Sequence, residues 1–306
     1  MDDIGPQGKR VVVTGGGGFV GHHLVDALAA YNDVTVLDDF SNGRRERLPE
    51  GVTVHEGDVC DPEAVTRAVE GADVVFHEAA VVSVERSVED PEATHAVNVD
   101  ATLSVLSAAR KADARVVFAS SAAVYGTPEH VPVAETAPKE PVSPYGLEKL
   151  SADHYCRLFA ELYGVETVAL RYFNVYGPGQ SKGPYSGVIT AFVDQARGGG
   201  PVTVQGDGEQ TRDFVHVSDV VRANLLAATT EHVGEAFNIG TGRAVPVRRL
   251  AEVVRDSVDP SVDIQTGAAR AGDVRHSRAD ITKARGRLGY EPTVDLEEGI
   301  RTVVET

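Results

Sequence analysis

The chain has 306 residues, of which 42% are hydrophobic and 25% charged, a composition typical of a folded globular protein. It contains no apolar run near the roughly 18 residues of a membrane span, and the opening MDDIGPQGKR lacks the apolar core of a signal peptide. Two distant cysteines, Cys60 and Cys156, exclude a disulfide scaffold and a cysteine-ligated zinc site, so the cytoplasm is the expected compartment.

The net charge of −17 disfavours nucleic acid and membranes as partners, because an acidic surface repels phosphate groups and anionic lipid. Only 6 of the 29 basic residues are lysine. An acidic, lysine-poor surface fits a protein from a salt-rich (halophilic) cytoplasm, where salt screens the self-repulsion. Ordinary variation in an acidic enzyme is the alternative.

The first half of the chain alternates strands and helices. Strands are predicted at 9–14, 33–37, 52–55, 73–76 and 115–119, and helices at 19–31, 63–70 and about 93–110. This order predicts an α/β fold with a parallel sheet that is covered on both faces.

The texture changes after about residue 170, where loops are richer in glycine and proline and strands are short. We expect a main domain at 1–170 and a smaller, mainly substrate-binding region at 171–306. Some segments of the second region should return to the main domain, with a cleft between the two.

A glycine-rich turn follows the first strand and opens the first helix. In TGGGGFVG, residues Gly15, Gly18 and Gly21 allow a tight turn, a close approach to a pyrophosphate and helix–strand packing. The acidic pair Asp38-Asp39 ends the second strand, 17 residues after Gly21. A carboxylate there binds ribose hydroxyls and repels a 2′-phosphate, which favours NAD over NADP.

Two further motifs predict chemistry at the sheet edge. Tyr145 and Lys149 form Y-x-x-x-K behind the cap pair Ser143-Pro144, which places them one turn apart on a helix. Lowering a tyrosine pKa by about 3 units takes roughly 4 kcal/mol, which an ammonium and a nicotinamide cation could supply. A serine at 120 or 121, ending the fifth strand, is placed to hydrogen-bond a reacting oxygen.

Further segments appear in order: G-D-V, H-x-A-A, S-S-A-A-V-Y-G, R-Y-F-N-V-Y-G-P, G-D-G-E-Q-T-R-D-F-V-H-V-x-D and R-x-G-D. Together with the motifs above, they resemble the extended short-chain dehydrogenase/reductase family over nearly the whole chain. The chain is most similar to its nucleotide-sugar branch, and there to UDP-glucose and UDP-N-acetylglucosamine 4-epimerases. The resemblance implies a Rossmann-type doubly wound sheet and an NAD-dependent 4-epimerisation of a UDP-sugar through a 4-keto intermediate.

The resemblance also implies roles for individual residues. Tyr145 is the base, Lys149 lowers its pKa and holds the nicotinamide ribose, and Ser121 hydrogen-bonds the sugar 4-oxygen. The implied cofactor site comprises Gly15, Gly18, Phe19, Val20, Gly21, Asp38, Asp39, Ser41, Asn42, Gly43, Asp58, Val59, Ala79, Ala80, Val81, Asn98, Ala119, Tyr145, Lys149 and Tyr172. The implied substrate site comprises Ser83, Ser121, Asn174, Val188, Gln205, Arg212, Arg270, Asp273 and Ser277. No histidine cluster has metal-ligand spacing, so no metal site is predicted.

Three departures from relatives refine this prediction. Relatives that dehydrate or decarboxylate carry an acid before V-Y-G, where Ala122 and Ala123 stand here, which favours epimerisation alone. Val175 replaces the proline of the best-known UDP-galactose 4-epimerases, which weakens galactose as the physiological sugar. Ser277 replaces a bulky tyrosine, which predicts room for a 2-acetamido group.

Other possibilities remain open at this point. The same scaffold could serve another nucleotide-sugar epimerase, a net oxidoreductase or a non-catalytic NAD-sensing protein. The family resemblance further predicts a homodimer through a four-helix interface, formed by helices at about 87–110 and 144–163.

Overall fold

The computed structural model of the protein describes residues 4–180, 187–269 and 274–305. Its strands are β1 (Arg10–Thr14), β2 (Asp33–Asp38), β3 (Thr53–Glu56), β4 (Val74–His77), β5 (Arg115–Ser121), β6 (Thr167–Tyr172), β7 (Asn174–Tyr176), β8 (Val202–Gln205), β9 (Thr211–Arg212), β10 (Phe214–His216), β11 (Glu235–Ile239), β12 (Val245–Pro246) and β13 (Ile264–Gly267). Its α-helices are α1 (Phe19–Ala29), α2 (Pro62–Val69), α3 (Val84–Glu89), α4 (Pro91–His95), α5 (Ala101–Ala112), α6 (Pro144–Tyr163), α7 (Val188–Arg197), α8 (Val217–Ala227), α9 (Val247–Val258), α10 (Thr282–Leu288) and α11 (Leu296–Val304). Short 3-10 turns lie at Arg45–Arg47 and Ala122–Tyr125, and a π-helical turn lies at Ala96–Asp100.

Seven of these strands form one parallel sheet in the order β3–β2–β1–β4–β5–β6–β11. The direction of winding reverses between β1 and β4, so the carboxyl ends of these strands border a crevice suited to ligands. The predicted doubly wound α/β fold is confirmed. Because β11 belongs to this sheet, a segment from far beyond residue 170 returns to it.

Both faces of the sheet are covered by helices. Val11 and Val13 of β1 pack in an apolar core with α1 and α8, whereas Val12 packs on the other face with α2, α5 and α6. Strands that bury both faces need nearly continuous apolar runs. The predicted strands in the first half were recognisable for this reason.

The chain between β4 and β5 differs from the single helical stretch predicted over 93–110. Asp90 ends α3 and its carboxylate caps α4 by accepting the N–H of Ala93 (3.1 Å), with Pro91 in the first helical position. The π-helical turn then joins α4 to α5. Such turns are frequent at functional sites, and this one places Asn98 inside, only 1% exposed.

Part of the region after β6 packs around a separate apolar core, while β11 and α8 belong to the main sheet and its covering layer. The short strands of this region pair two by two as β7–β10, β8–β13 and β9–β12. Phe192 of α7, Leu250 of α9 and Ile300 of α11 form a separate apolar core there. Within the described part of the chain, no helix combines the length and apolarity needed to cross a membrane.

Candidate active site

The glycine-rich turn between β1 and α1 packs tightly against neighbouring backbone. Gly15 adopts φ +70°, and its N–H donates to the carbonyl oxygen of Leu37 (2.8 Å). A Cβ at Gly15 would lie 2.7 Å from the nitrogen of Ala79, and one at Gly21 would lie 2.0 Å from the carbonyl oxygen of Gly15. The turn therefore presents bare backbone at the N-terminus of α1, a cradle that fits a pyrophosphate.

The two carboxylates at the end of β2 have different surroundings. Asp38 is 8% exposed, and its oxygens accept the N–H groups of Gly17 (2.8 Å) and Phe40 (2.7 Å). Burial raises the pKa of Asp38, and these two hydrogen bonds partly oppose that rise. Asp39 is exposed and accepts the N–H (2.9 Å) and hydroxyl (2.7 Å) of Ser41. Asp38 thus borders the glycine turn, and its carboxylate oxygens have further lone pairs that can accept hydrogen bonds from a ligand. Asp39 instead stabilises the loop that follows β2 through its bonds to Ser41.

The two serines at the end of β5 point in different directions. Ser120 is buried and donates its hydroxyl hydrogen to Asp153 (3.0 Å). Ser121 accepts the N–H of Ala123 (3.1 Å) and hydrogen-bonds the hydroxyl of Tyr145. The structure thus brings Ser121 to Tyr145 and turns Ser120 into the interior.

Tyr145 and Lys149 lie one turn apart at the start of α6. Ser143 caps this helix by accepting a first-turn N–H (3.1 Å), and the N–H of Tyr145 donates to the hydroxyl of Ser87 (3.1 Å). Lys149 is 2% exposed, and its ammonium donates to the carbonyl oxygen of Ala119 (2.8 Å). Both side chains are therefore held at the carboxyl end of β5.

Burial acts on both groups of this pair. It raises the pKa of Tyr145, although the hydrogen bond with Ser121 partly opposes the rise. Burial lowers the pKa of Lys149 to about 8, against the opposing influence of Glu78 and Glu148. In the protein alone Tyr145 therefore remains protonated at neutral pH, and the phenolate expected from the sequence needs further positive charge in the cleft.

A buried ionic network packs against the serine turn, by which we mean Ser120, Ser121 and the 3-10 turn Ala122–Tyr125 that follows them. Asp153 and Arg171 are 0% and 1% exposed and form a bidentate pair with N–O distances of 2.9 and 3.1 Å. Arg171 also donates to the hydroxyl of Tyr125 (2.9 Å), which in turn donates to Asn238 (2.7 Å). Because Ser120 bonds Asp153 and Tyr125 ends the turn, the network holds both sides of Ser121.

A second polar link joins the loop after β4 to α6. Asn98 donates to the carbonyl oxygen of Val81 (3.0 Å) and accepts its N–H (2.9 Å). The other amide hydrogen of Asn98 bonds Glu148 (2.7 Å), which is 4% exposed and also accepts the Thr94 hydroxyl (2.8 Å). Asn98 therefore links the backbone of the loop after β4 to Glu148 of α6.

Other predicted cofactor residues lie along the same edge of the sheet. Tyr172 ends β6, and Asp58 accepts the N–H of Cys60 (2.8 Å) in the turn after β3. The remaining ones are Phe19 and Val20 in the first turn of α1, Asn42 and Gly43 after β2, Val59 after β3, and Ala80 after β4. Arg45, in the loop after β2, forms an ion pair with Glu56 (2.9 Å).

Three predicted substrate residues meet around the backbone of residues 211–213. The amide of Asn174 donates to the carbonyl oxygen of Asp213 (3.4 Å), and Ser277 donates its N–H to the carbonyl oxygen of Thr211 (3.1 Å). Arg212 lies between these two positions in β9. The structure thus groups Asn174, Arg212 and Ser277.

The other predicted substrate residues are more scattered. Ser83 caps α3 by accepting the N–H of Arg86 (3.0 Å), Val188 opens α7, and Gln205 ends β8. Arg270 and Asp273 lie outside the residues that the structure describes.

Sequence interpretation missed four charged residues of this site: Glu78, Glu148, Asp153 and Arg171. A signal was present for Arg171, which follows the apolar run TVAL of a buried strand. A charged residue in a buried element is almost always paired. Its partner Asp153, by contrast, could be identified only in three dimensions.

Comparison with known proteins agrees with this geometry. A model of the NAD dependent epimerase/dehydratase family matches residues 11–240, and the chain belongs to this family. A putative UDP-glucose 4-epimerase of Methanocaldococcus jannaschii is 39% identical over 96% of this chain and 97% of its own. The UDP-N-acetylglucosamine 4-epimerase of Methanobrevibacter ruminantium, solved with UDP-N-acetylmuramic acid, superposes with TM-score 0.94 at 38% identity over 98% of both chains. The UDP-glucose 4-epimerase of Thermus thermophilus, solved with NAD, superposes with TM-score 0.89 at 37% identity over 97% of this chain and 98% of its own.

Proposed function

We propose that the protein is an isomerase that interconverts the 4-epimers of a UDP-sugar through a transient 4-keto sugar, with NAD as cofactor. UDP-glucose and UDP-galactose are candidate substrates, as are their N-acetylated counterparts. The observation that carries the proposal is the placement of Tyr145 beside Ser121 at the carboxyl end of β5, with Lys149 one turn away. Alanines at 122 and 123 follow directly.

In this proposal Tyr145 takes the proton of the sugar 4-hydroxyl, and Ser121 holds that oxygen. Lys149 stabilises the phenolate and binds the nicotinamide ribose. Bound NAD supplies the capacity to take a hydride from C4 and return it to the opposite face. The glycine turn and Asp38 would hold this cofactor, because they offer free N–H groups and ribose acceptors.

The diphosphate of the substrate is assigned to the second region of the chain. Asn174 and Arg212 are the described candidates, and Arg270 would join them, with Asp273 on the uridine ribose. A guanidinium matches phosphate oxygens in charge and geometry. Local arginines would also offset the repulsion between an anionic substrate and a chain of net charge −17.

Epimerisation is favoured over dehydration and over net oxidation. Ala122 and Ala123 occupy the 3-10 turn after Ser121, and an alanine cannot donate the proton that loss of water requires. A different nucleotide-sugar epimerase or an oxidoreductase of the same family is the alternative within enzymes. A non-catalytic NAD sensor is disfavoured, because pure binding has no need of the Tyr145–Ser121 contact.

The test is incubation of the purified protein, in low and in molar salt, with each UDP-sugar and no added reductant. Formation of the 4-epimer at a fixed equilibrium ratio supports the proposal. Tyr145→Phe should lose several orders of magnitude in rate, whereas the exposed Tyr31→Phe should retain wild-type activity. Turnover that survives Tyr145→Phe would refute the assignment.

Substrate choice is proposed to depend on Ser277. Its small side chain would leave space for a 2-acetamido group on the sugar. Ser277→Tyr should abolish turnover of UDP-N-acetylglucosamine and spare UDP-glucose, whereas Ser277→Ala should accept both. Wild-type protein that converts UDP-glucose but not the N-acetylated sugar would contradict this assignment.

We further propose a homodimer built on α6 and the helices beside it. The predicted helix 87–110 is divided into segments of α3, α4, the π turn and α5, so four straight helices do not describe the surface. Leu147, Leu158 and Leu162 of α6 are 57%, 43% and 62% exposed, and Val88 of α3 is 63% exposed. We call these four residues the α6 patch. Exposed apolar patches of this kind mark interaction sites.

The cellular setting is proposed from charge and composition. A cytoplasmic location and a salt-rich interior fit the net charge of −17 and the low lysine content. Thermal unfolding should then move to higher temperature between low and molar potassium chloride. A lower unfolding temperature in molar salt would favour ordinary compositional variation.

A further inference from the structure

Glu78 is a carboxylate in the cofactor crevice to which the proposed chemistry assigns no role. It follows β4 directly, and its N–H donates to the carbonyl oxygen of Thr14 (3.2 Å). A Cβ at Gly15 would lie 3.0 Å from its carbonyl carbon, so Glu78 adjoins the glycine turn. Its Oε1 accepts the hydroxyl hydrogen of Tyr172 (2.9 Å). Since strand carboxyl ends face the ligand, Glu78 stands at the edge of the cofactor site.

The hydrogen bonds that hold Glu78 have a defined direction. The side-chain amide of the buried Asn224 donates to the carbonyl oxygen of Val220 (3.0 Å) and to the hydroxyl oxygen of Tyr172 (2.7 Å). A carbonyl can only accept, so the contact with Val220 orients the amide. Its own oxygen then lies buried with no partner in the described part of the chain, which is costly. Tyr172 therefore donates to Glu78, an arrangement that favours the ionised carboxylate.

The charged and titratable groups that face Glu78 come from two elements. Lys149 faces it from α6 and Tyr172 from β6. His77 of β4 points away, toward Thr102 (3.0 Å). Burial raises the pKa of Glu78 to about 7, while the bond from Tyr172 and the charge of Lys149 lower it. In mildly alkaline buffer Glu78 therefore carries a negative charge in a partly buried position.

We propose that the Glu78 carboxylate determines how strongly the crevice prefers NAD⁺ over NADH. The oxidised nicotinamide ring is a cation and the reduced ring is neutral, so a nearby, partly buried carboxylate stabilises the oxidised form selectively. This inference rests on the NAD-dependent function proposed above but not on the identity of the sugar. A preference for NAD⁺ would return the protein to its oxidised resting form after each turnover.

The test compares the dissociation constants of NAD⁺ and NADH for the cofactor-stripped protein in mildly alkaline buffer. Glu78→Gln removes the charge and keeps the shape. It should lower the ratio of the NADH constant to the NAD⁺ constant about tenfold, equivalent to about 30 mV in the midpoint potential of the bound two-electron couple. Glu78→Asp keeps a carboxylate and should retain most of the preference. Glu166→Gln is the matched control, since that exposed glutamate precedes β6 at the opposite edge of the sheet.

Each outcome decides the proposal. A tenfold fall in Glu78→Gln, with little change in the other two variants, supports it. An unchanged ratio, or an equal weakening of both forms, would show a merely structural role and overturn it. If Glu78→Gln does not fold, Glu78→Ala provides the same charge loss. Failure of the wild-type protein to bind NAD would refute the cofactor itself, whereas absence of sugar turnover with the ratio intact would refute only the epimerase assignment.

Discussion

The buried pair beneath the serine turn offers a quantitative prediction. Replacing Arg171 by Met keeps the apolar volume of the side chain but removes its charge. Asp153, which is 0% exposed, then keeps the Ser120 hydroxyl (3.0 Å) and an ion pair with the partly exposed Arg157 (3.3 Å). A buried carboxylate that loses its main counter-charge is strongly destabilising.

The magnitude follows from the contacts that are lost. Breaking a buried ion pair from one side costs about 3–5 kcal/mol, and the remaining contact with Arg157 favours the lower end, about 3 kcal/mol. For a chain of this size such a loss lowers the Tm by about 5 °C. The double variant Arg171→Met/Asp153→Leu should recover about 1–2 kcal/mol relative to Arg171→Met, because it removes the buried carboxylate that Arg171→Met leaves without its main counter-charge.

The assay is urea or thermal unfolding of the two single variants, the double variant and the wild type. Epimerase activity gives a second measurement. Because the network holds the residues on both sides of Ser121, kcat should fall by roughly 10–100-fold in Arg171→Met with little change in KM. A destabilisation below about 1 kcal/mol, or strictly additive single effects, would refute this account of the network.

Three further predictions concern the cofactor, acid stability and assembly. Asp38→Asn should weaken NAD binding about 100-fold. The new side-chain NH₂ group would face the N–H of Gly17 or Phe40, where the carboxylate accepted a hydrogen bond, and a charged acceptor for the ribose is lost. A change below threefold in a binding titration would contradict this prediction. Burial lowers the pKa of His77 to about 3, so between pH 6.5 and 3 the unfolded chain binds a proton that the folded chain does not. Lowering the pH through this range therefore decreases the free energy of unfolding by up to about 1.4 kcal/mol per pH unit. Unfolding of His77→Gln should show a shallower acid dependence, and parallel pH profiles would exclude this contribution. Leu158→Asp in the α6 patch should convert a dimer into a monomer by sedimentation, whereas an identical mass for both proteins would remove the proposed interface.

The sequence was most informative where a structural signal lies within a few neighbouring residues. The glycine turn after β1, the cap at Ser143 and the spacing of Tyr145 and Lys149 all depend on local backbone geometry, so each was predictable. The break at Asp90 was missed, although the Asp-Pro pair at 90–91 opens α4 just as the pair at 61–62 opens α2. Apolar periodicity over 93–110 outweighed that local signal, and a π-helical turn has no comparable sequence pattern.

The roles of paired residues needed the tertiary structure. The choice between Ser120 and Ser121 depends on Asp153, which lies 33 residues from Ser120 in the chain. Likewise, nothing local shows that Glu78 meets Tyr172 across 94 positions. Such contacts form only when the strands reach their places in the sheet, because register and helix packing decide which side chains face each other.

The amino-acid sequence by itself determined the α/β class, the order of elements and the segments that border the crevice, because runs of apolar residues and turn chemistry act locally. Only the tertiary structure decided which serine faces Tyr145 and which carboxylate of the 38–39 pair borders the glycine turn. It also showed that Glu148, Asp153 and Arg171 lie buried around the site and that Glu78 is partly buried. Burial and distance set the strength of every electrostatic interaction, and both are properties of the folded chain.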